Sequence, residues 1–385
     1  MTRRTLGDYS PVAVLVGAIM GVGMFGLPYI GIRAGFIPMI GFLCITVALL
    51  YLLSHAYSEV IIGTSGKHRF PGYVEKYLGH NWKQAAFFTT TIGMWGALLS
   101  YIILGGRFLT DIFNPLVGGS LLFYSLLFFF VGAYFIFRDA QTVARIELIL
   151  LWLFPGIIVI LGIIGFSKIH LSESVLLNPG AAILPYGLVL FSLWGINMLP
   201  DISEMVDKNR KRLERVSLKA LLMSAILYLI FIILVIGISG KNTSTDALSG
   251  LRAALGEKVL ILGFLFGIIA TFTSFIALGL NLKKVFMYDY EMHPMPSLFM
   301  ALGIPLVLFL TGITNYLGII SVTGGVVLGF EGILILILYE RFAKDRQIIQ
   351  IKKRFSLVSF TKPLMVILGA GVILGLLAPF ILERL

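Results

Sequence analysis

Long apolar runs, separated by short segments that hold most of the charge, constrain this chain more than any other feature. About eleven runs fall near the roughly 20 residues a helix needs to cross a bilayer. They lie at 10–33, 36–62, 83–106, 117–137, 142–166, 181–206, 216–239, 257–282, 296–313, 315–340 and 362–382. Membrane barrel strands would be about ten residues long with alternating polarity, and these runs are continuous. Hydrophobic residues make up 58% of the 385 and charged residues 13%, against about 25% charged in soluble domains. Water cannot solvate such a surface, and a bilayer can. The expectation is a single all-α polytopic membrane domain.

The net charge is +11, but it does not point to nucleic acid. The basic residues occupy the short loops, where they set topology. With the N-terminus in the cytoplasm, 23 of the 30 Lys and Arg fall on the cytoplasmic side. An odd number of spans then puts the C-terminus outside, in an inner or plasma membrane. The first span carries no small-residue cleavage site after it, so it reads as an uncleaved span. The single cysteine, Cys44, allows neither a disulfide within the chain nor a cysteine-rich metal site. Three loops read as structured. Residues 66–82, with Phe70-Pro71-Gly72-Tyr73, can lie along the inner surface; 207–215 form a basic linker; 243–256 read as a short amphipathic helix over the outer face.

The first span contains Gly17, Gly21, Gly23, Gly26 and Pro28. Glycines and a proline in mid-membrane weaken a helix, and freed backbone groups are tolerated in lipid only where they line a cavity or bind something. The sixth span repeats the pattern: Gly195 precedes Pro200 by five residues, as Gly23 precedes Pro28, and each proline follows a leucine. The two breaks lie about five spans apart, the offset of a five-plus-five inverted repeat. The repeats would be 10–166 and 181–340, with 362–382 an extra helix. Half-helix N-termini suit an anion and half-helix C-termini suit a cation. A zwitterion matches both without a buried fixed charge.

Gly17 to Pro38 resembles the first helix of permeases in the amino acid–polyamine–organocation superfamily. It looks most like the amino acid/auxin branch and the tryptophan/tyrosine permeases. Gly96-Ala97-Leu98-Leu99-Ser100-Tyr101 resembles their third helix, and Thr273 to Leu280 their eighth. The resemblance implies the leucine-transporter fold, with helices one and six broken. It implies that amides of Gly21, Val22 and Gly23 meet a substrate carboxylate, with Tyr101 as a further donor. Phe191, Ser192, Trp194 and Gly195 would hold the ammonium and side chain, and a Trp194 wall would favour apolar or aromatic substrates. A sodium site would use carbonyls of Gly17, Met20 and Ala270 with the hydroxyls of Thr273 and Ser274. The alternative coupling ion is a proton. The lysine that some relatives place in helix five is absent from Ile146–Gly162, which carries Glu147. Glu331, inside the tenth span, is the main proton-coupling candidate, since an intramembrane acid is a functional group by default. His55 with Glu59, and Asp201, Glu204 and Asp207, read as gate or interface contacts.

The expected activity is symport of an amino acid with sodium or a proton, with no other cofactor. An amino acid-sensing receptor of the same fold and an uncoupled exchanger or facilitator remain alternatives. An enzyme would need a convergent catalytic cluster, and the five histidines are scattered. A channel would need a filter motif.

Overall fold

The computed structural model describes residues 11–138, 143–169, 176–345 and 358–382. Each apolar run of the sequence corresponds to a helix or an interrupted helix. Span one is α1 (Pro11–Ile19) with α2 (Gly23–Ala34), and span two is α3 (Phe36–Gly63). A short helix, α4 (Phe70–Leu78), precedes span three, α5 (His80–Val117), span four, α6 (Leu121–Phe137), and span five, α7 (Val143–Gly165). Span six is α8 (Pro185–Ser192) with α9 (Leu199–Met205), and span seven is α10 (Arg210–Ser239). After α11 (Arg252–Leu255) come span eight, α12 (Glu257–Asp289), and span nine, α13 (Pro294–Leu310). Span ten is α14 (Tyr316–Val322), a π-helical stretch at Thr323–Leu328, and α15 (Gly329–Asp345); span eleven is α16 (Val358–Leu382). Among the described residues, six helices are long and apolar enough to cross a membrane by themselves, and the bent α1–α2 pair, taken as one span, makes seven. The outward-facing side chains suit lipid: Ile37, Phe88, Ile163, Val366 and Phe380 are all exposed.

Four sequence expectations are corrected. Residues 207–215 are not a linker, because α10 starts at Arg210, where the Asn209 side chain accepts from the Arg212 N–H and caps it. The amphipathic helix expected over 243–256 shrinks to a 3-10 turn at Ser249–Leu251 and the four-residue α11. Asp246 accepts from the Ser249 N–H at 3.0 Å and holds the preceding segment as a turn instead. Span three runs past its expected end at 106 to Val117, since its polar last turns stay helical beyond the apolar stretch. Span ten was not read as interrupted. The side chain of Glu147 lies outside the described residues.

Glycine sets the tight connections. Gly35, at φ +98°, joins α2 to α3 and donates to the Gly31 carbonyl at 2.8 Å. A side chain there would strike the backbone of Leu176 and Leu177 at 2.7 Å. That backbone is bound in place: Ile37 N–H donates to Leu176 O at 3.1 Å and Asn178 N–H to Ala34 O at 2.9 Å. The approach to span six is thereby tied to the turn between spans one and two. Gly187 of α8 lies against the backbone of Ser321 in span ten, an approach only small residues permit.

Candidate functional site

The first break covers Met20, Gly21 and Val22, between half-helices bent by 55°. Gly21 N–H turns back to the Ile19 carbonyl at 2.9 Å, which ends α1. Pro28 lies within α2 rather than at the break, so glycine makes the interruption. A Cβ on Gly21 would overlap the Tyr101 hydroxyl, and one on Gly23 would overlap Ser192 Oγ and sit 3.0 Å from Ser192 Cα. Glycine at 21 and 23 lets spans three and six close on span one. In the second break α8 stops at Ser192, a 3-10 turn covers Ile196–Met198, and Pro200 sits in the first turn of α9, where its missing N–H costs nothing.

The carbonyl ends of the two first halves converge. The buried Tyr228 hydroxyl of span seven faces Ile19 O at 2.9 Å and Ser192 O at 3.1 Å. Its single hydrogen is shared between the last carbonyls of α1 and α8. The second half of span one opens with the N–H of Gly23, a positive dipole end, whereas the Leu199 N–H at the start of α9 is taken by the Ile196 carbonyl. Among the described residues, a cavity of about 70 Å³ lies between the breaks. A water needs about 10–15 Å³ on this measure, so there is room for a small solute.

Of the substrate-site residues named from sequence, Gly21, Gly23, Tyr101, Phe191, Ser192 and Trp194 line this cavity. Val22 is buried in the break behind it. Gly195 packs on Ile19 and Leu15 and lines a smaller hollow on the other side. Of the proposed ion ligands, Ser274 donates to Met20 O at 3.4 Å, bridging span eight to the first break. Thr273 donates to Ile269 O at 3.0 Å and Ala270 O at 3.2 Å within its own helix. Gly17 is buried in α1.

Glu331 is fully buried one turn beyond the cavity. Gly93 and Leu328 line the cavity; Thr90 precedes the first by three residues and Glu331 follows the second by three, each one helical turn away. Thr90 donates to Glu331 Oε1 at 3.4 Å, and Oε2 has no partner among the described residues. Farther along, at the face that holds most of the Lys and Arg, Arg69 joins Asp201 of α9 at 2.7 Å, and Lys284 lies 3.5 Å from the same oxygen. Burial alone would lower the affinity of Arg69 for its proton, and the Asp201 carboxylate holds it above the ordinary value instead. Arg210 pairs with Glu59 and, at 2.6 Å, with Glu214, while His55 sits 3.1 Å from Glu214. On the opposite side of the cavity Phe25, Phe108, Phe231, Phe264 and Phe266 pack into a buried aromatic cluster; Phe25 and Phe108 are 5.0 Å apart edge to face.

Sequence reasoning missed Tyr228, Thr90 and Asn281. Asn281 of span eight lines the cavity and donates to Asn197 O in the second break at 3.1 Å. Tyr228 is one tyrosine in an apolar run, Thr90 the middle of three threonines and Asn281 two residues before Lys283-Lys284, so the signal was present and ambiguous.

Two spans broken at matching places around a shared cavity define a membrane transporter of the leucine-transporter fold. Solved structures agree. MhsT in complex with L-phenylalanine matches with a TM-score of 0.68 at 16% identity, over 97% of this chain and 98% of that one. Mhp1, a nucleobase-cation-symport-1 family transporter, matches in its closed conformation with bromovinylhydantoin bound, with a TM-score of 0.64 at 13% identity, over 98% and 92%. Its inward-facing conformation matches with the same score at 14% identity. At such identities the likeness is one of fold. The model of the tryptophan/tyrosine permease family matches residues 7–378, and the chain belongs to that family. A search of the curated proteins finds no match.

Proposed function

We propose that this chain is a secondary active transporter that carries an aromatic amino acid together with a cation, by alternating access. The observation that carries the reading is the pair of breaks opening on one cavity. Carbonyl ends gather at Tyr228, and the N-terminus of α2 opens at Gly23 beside the same cavity. That arrangement fits an ammonium and a carboxylate at once. Gly21, Gly23 and Tyr101 would take the carboxylate; Phe191, Ser192 and Trp194 would frame the rest. Membership of the family, and the phenylalanine bound by MhsT, support an aromatic side chain. The Lys/Arg-rich face would be cytoplasmic, with the N-terminus inside and the C-terminus outside a cell membrane.

Glu331 favours a proton as the coupling ion. Among the described residues Glu331 has one hydroxyl beside it and no paired cation, so its ionised carboxylate would be an uncompensated buried charge, which an incoming proton would cancel. Ser274 against Met20 O supports the sodium alternative less well, because Thr273 is engaged with its own helix. The test is uptake of labelled tryptophan, tyrosine and phenylalanine into proteoliposomes under separate proton and sodium gradients. Accumulation driven by the proton gradient, and lost in Glu331→Gln, is expected. Binding without accumulation would indicate a receptor; uptake indifferent to both gradients would indicate an exchanger or facilitator.

A further inference from the structure

Span seven is longer than the hydrocarbon it crosses. α10 runs for 30 residues, Arg210–Ser239, about 45 Å at about 1.5 Å per residue, against about 30 Å of hydrocarbon. The stretch from Ala220 to Ser239 holds no charge and fills that thickness alone. The turns before it therefore stand at the depth of the lipid headgroups. Arg210, in the first of them, pairs with Glu59 of span two and with Glu214. Lys211, Arg212, Arg215 and Lys219 are exposed, and none of the four forms an ion pair among the described residues.

These four cations share a face with the lipid-facing side chains of the same helix. At about 100° per residue they fall within one arc of about 120°, and the exposed Leu222, Met223, Ile226 and Ile230 fall within the same arc. The buried Leu213, Val216, Ala220 and Tyr228 lie outside it. Setting topology requires cations only in a loop, whereas these continue a lipid-facing stripe along the helix. They also occupy the first turns of that helix, where the positive dipole end disfavours like charge and favours an anion.

We infer that this stripe binds the headgroups of anionic phospholipids in the leaflet at the basic face. Arg212 and Arg215 can each take a phosphate by two parallel hydrogen bonds, Lys211 and Lys219 add point charge, and the acyl chains run down the apolar continuation. An acidic soluble partner would answer the charges and leave that continuation unused. The inference is independent of the transport reading. Its consequence is mechanical: the start of span seven is gripped by Glu59 on its protein side and by lipid on the other, which fixes the depth of the helix whose Tyr228 joins the two breaks.

The test is binding to the purified full-length protein in neutral detergent micelles, read by native mass spectrometry. The probes are phosphatidylglycerol, phosphatidylcholine with the same acyl chains, inorganic phosphate and poly-L-glutamate. Phosphatidylglycerol should bind at least about tenfold more tightly than phosphatidylcholine, since each Lys or Arg at the surface adds to the attraction, and the preference should shrink as salt is raised. Arg215→Gln with Lys219→Gln should remove most of that preference, and Arg215→Lys with Lys219→Arg should keep it. Lys211→Gln with Arg212→Gln should lower it as well, and serves if the first pair fails to fold. Lys67→Gln with Lys344→Gln, exposed cations elsewhere on the same face, should leave it unchanged. Equal binding of the two lipids by the wild type would overturn the inference, as would a preference undiminished in a folded glutamine pair of the stripe. Inorganic phosphate or poly-L-glutamate bound as tightly as phosphatidylglycerol would overturn it too, reassigning the stripe to a free anion or to an acidic protein.

Discussion

At the scale of single residues, the site depends on what two glycines lack. A Cβ at position 23 meets the backbone of Ser192 as well as its hydroxyl, and backbone cannot rotate away. Overpacking of this kind costs about 1–3 kcal/mol, so Gly23→Ala should lose about 10- to 100-fold in substrate affinity and Gly23→Leu all measurable binding. Wild-type binding by Gly23→Leu would remove the first break from the site. Gly21→Ala should be milder, since it meets the end of the Tyr101 side chain, which can swing. Tyr228→Phe removes the shared hydrogen from two buried carbonyls. Leaving such groups unpaired costs about 1–3 kcal/mol each, so thermal unfolding should move down and uptake should fall together; an unchanged melting point would show that the bridge carries no load. The glycines were legible in the sequence because backbone rules single out three of them and a proline in mid-membrane. Tyr228 was not, since one tyrosine in an apolar run reads equally as a packed ring.

At the scale of elements, the helices followed from hydropathy, and their interruptions followed only in part. The spans matched because length and apolarity are local properties. The start of α10 at Arg210 was missed because basic residues that read as a loop also form a good first turn once Asn209 caps it. The π-helical stretch of span ten has no such local cause: Gly324 and Gly325 yield there to the backbones of Gly187 and Gly375, a tertiary demand. The ion pair between Arg69 and Asp201 ties the loop before α4 to the second half of span six. Removing one partner leaves a buried guanidinium uncompensated. Asp201→Asn should loosen the basic face, and a cysteine placed at Ala277 in a Cys44→Ser background should then react faster with a charged thiol reagent applied from that face. Equal labelling rates with and without the Asp201 change would exclude the pair as a gate.

For the whole molecule, the two faces of the cavity are closed by different chemistry. Salt bridges lie on the basic face, and edge-to-face and tilted phenylalanines pack on the other. The aromatic side is the deeper seal, since Phe25, Phe108 and Phe264 are nearly or wholly buried. Phe25→Ala should open a path from that side. It should lower stability by about 3–5 kcal/mol and admit thiol reagents to a cysteine at Ala97 from the non-basic face. Protection equal to wild type would place the seal elsewhere. The acidic half of the basic face was read from the sequence as gate or interface contacts, whereas the aromatic cluster was not, because its phenylalanines were simply apolar residues of four different spans.

The Tyr228 bridge also bears on how ligand occupancy is felt. One hydrogen divided between two acceptors binds each at less than full strength. An ammonium that takes over either carbonyl would release that hydrogen wholly to the other. Filling one hinge would thus stiffen its twin, and a loaded carrier would move as a single rigid unit where an empty one has two loose joints.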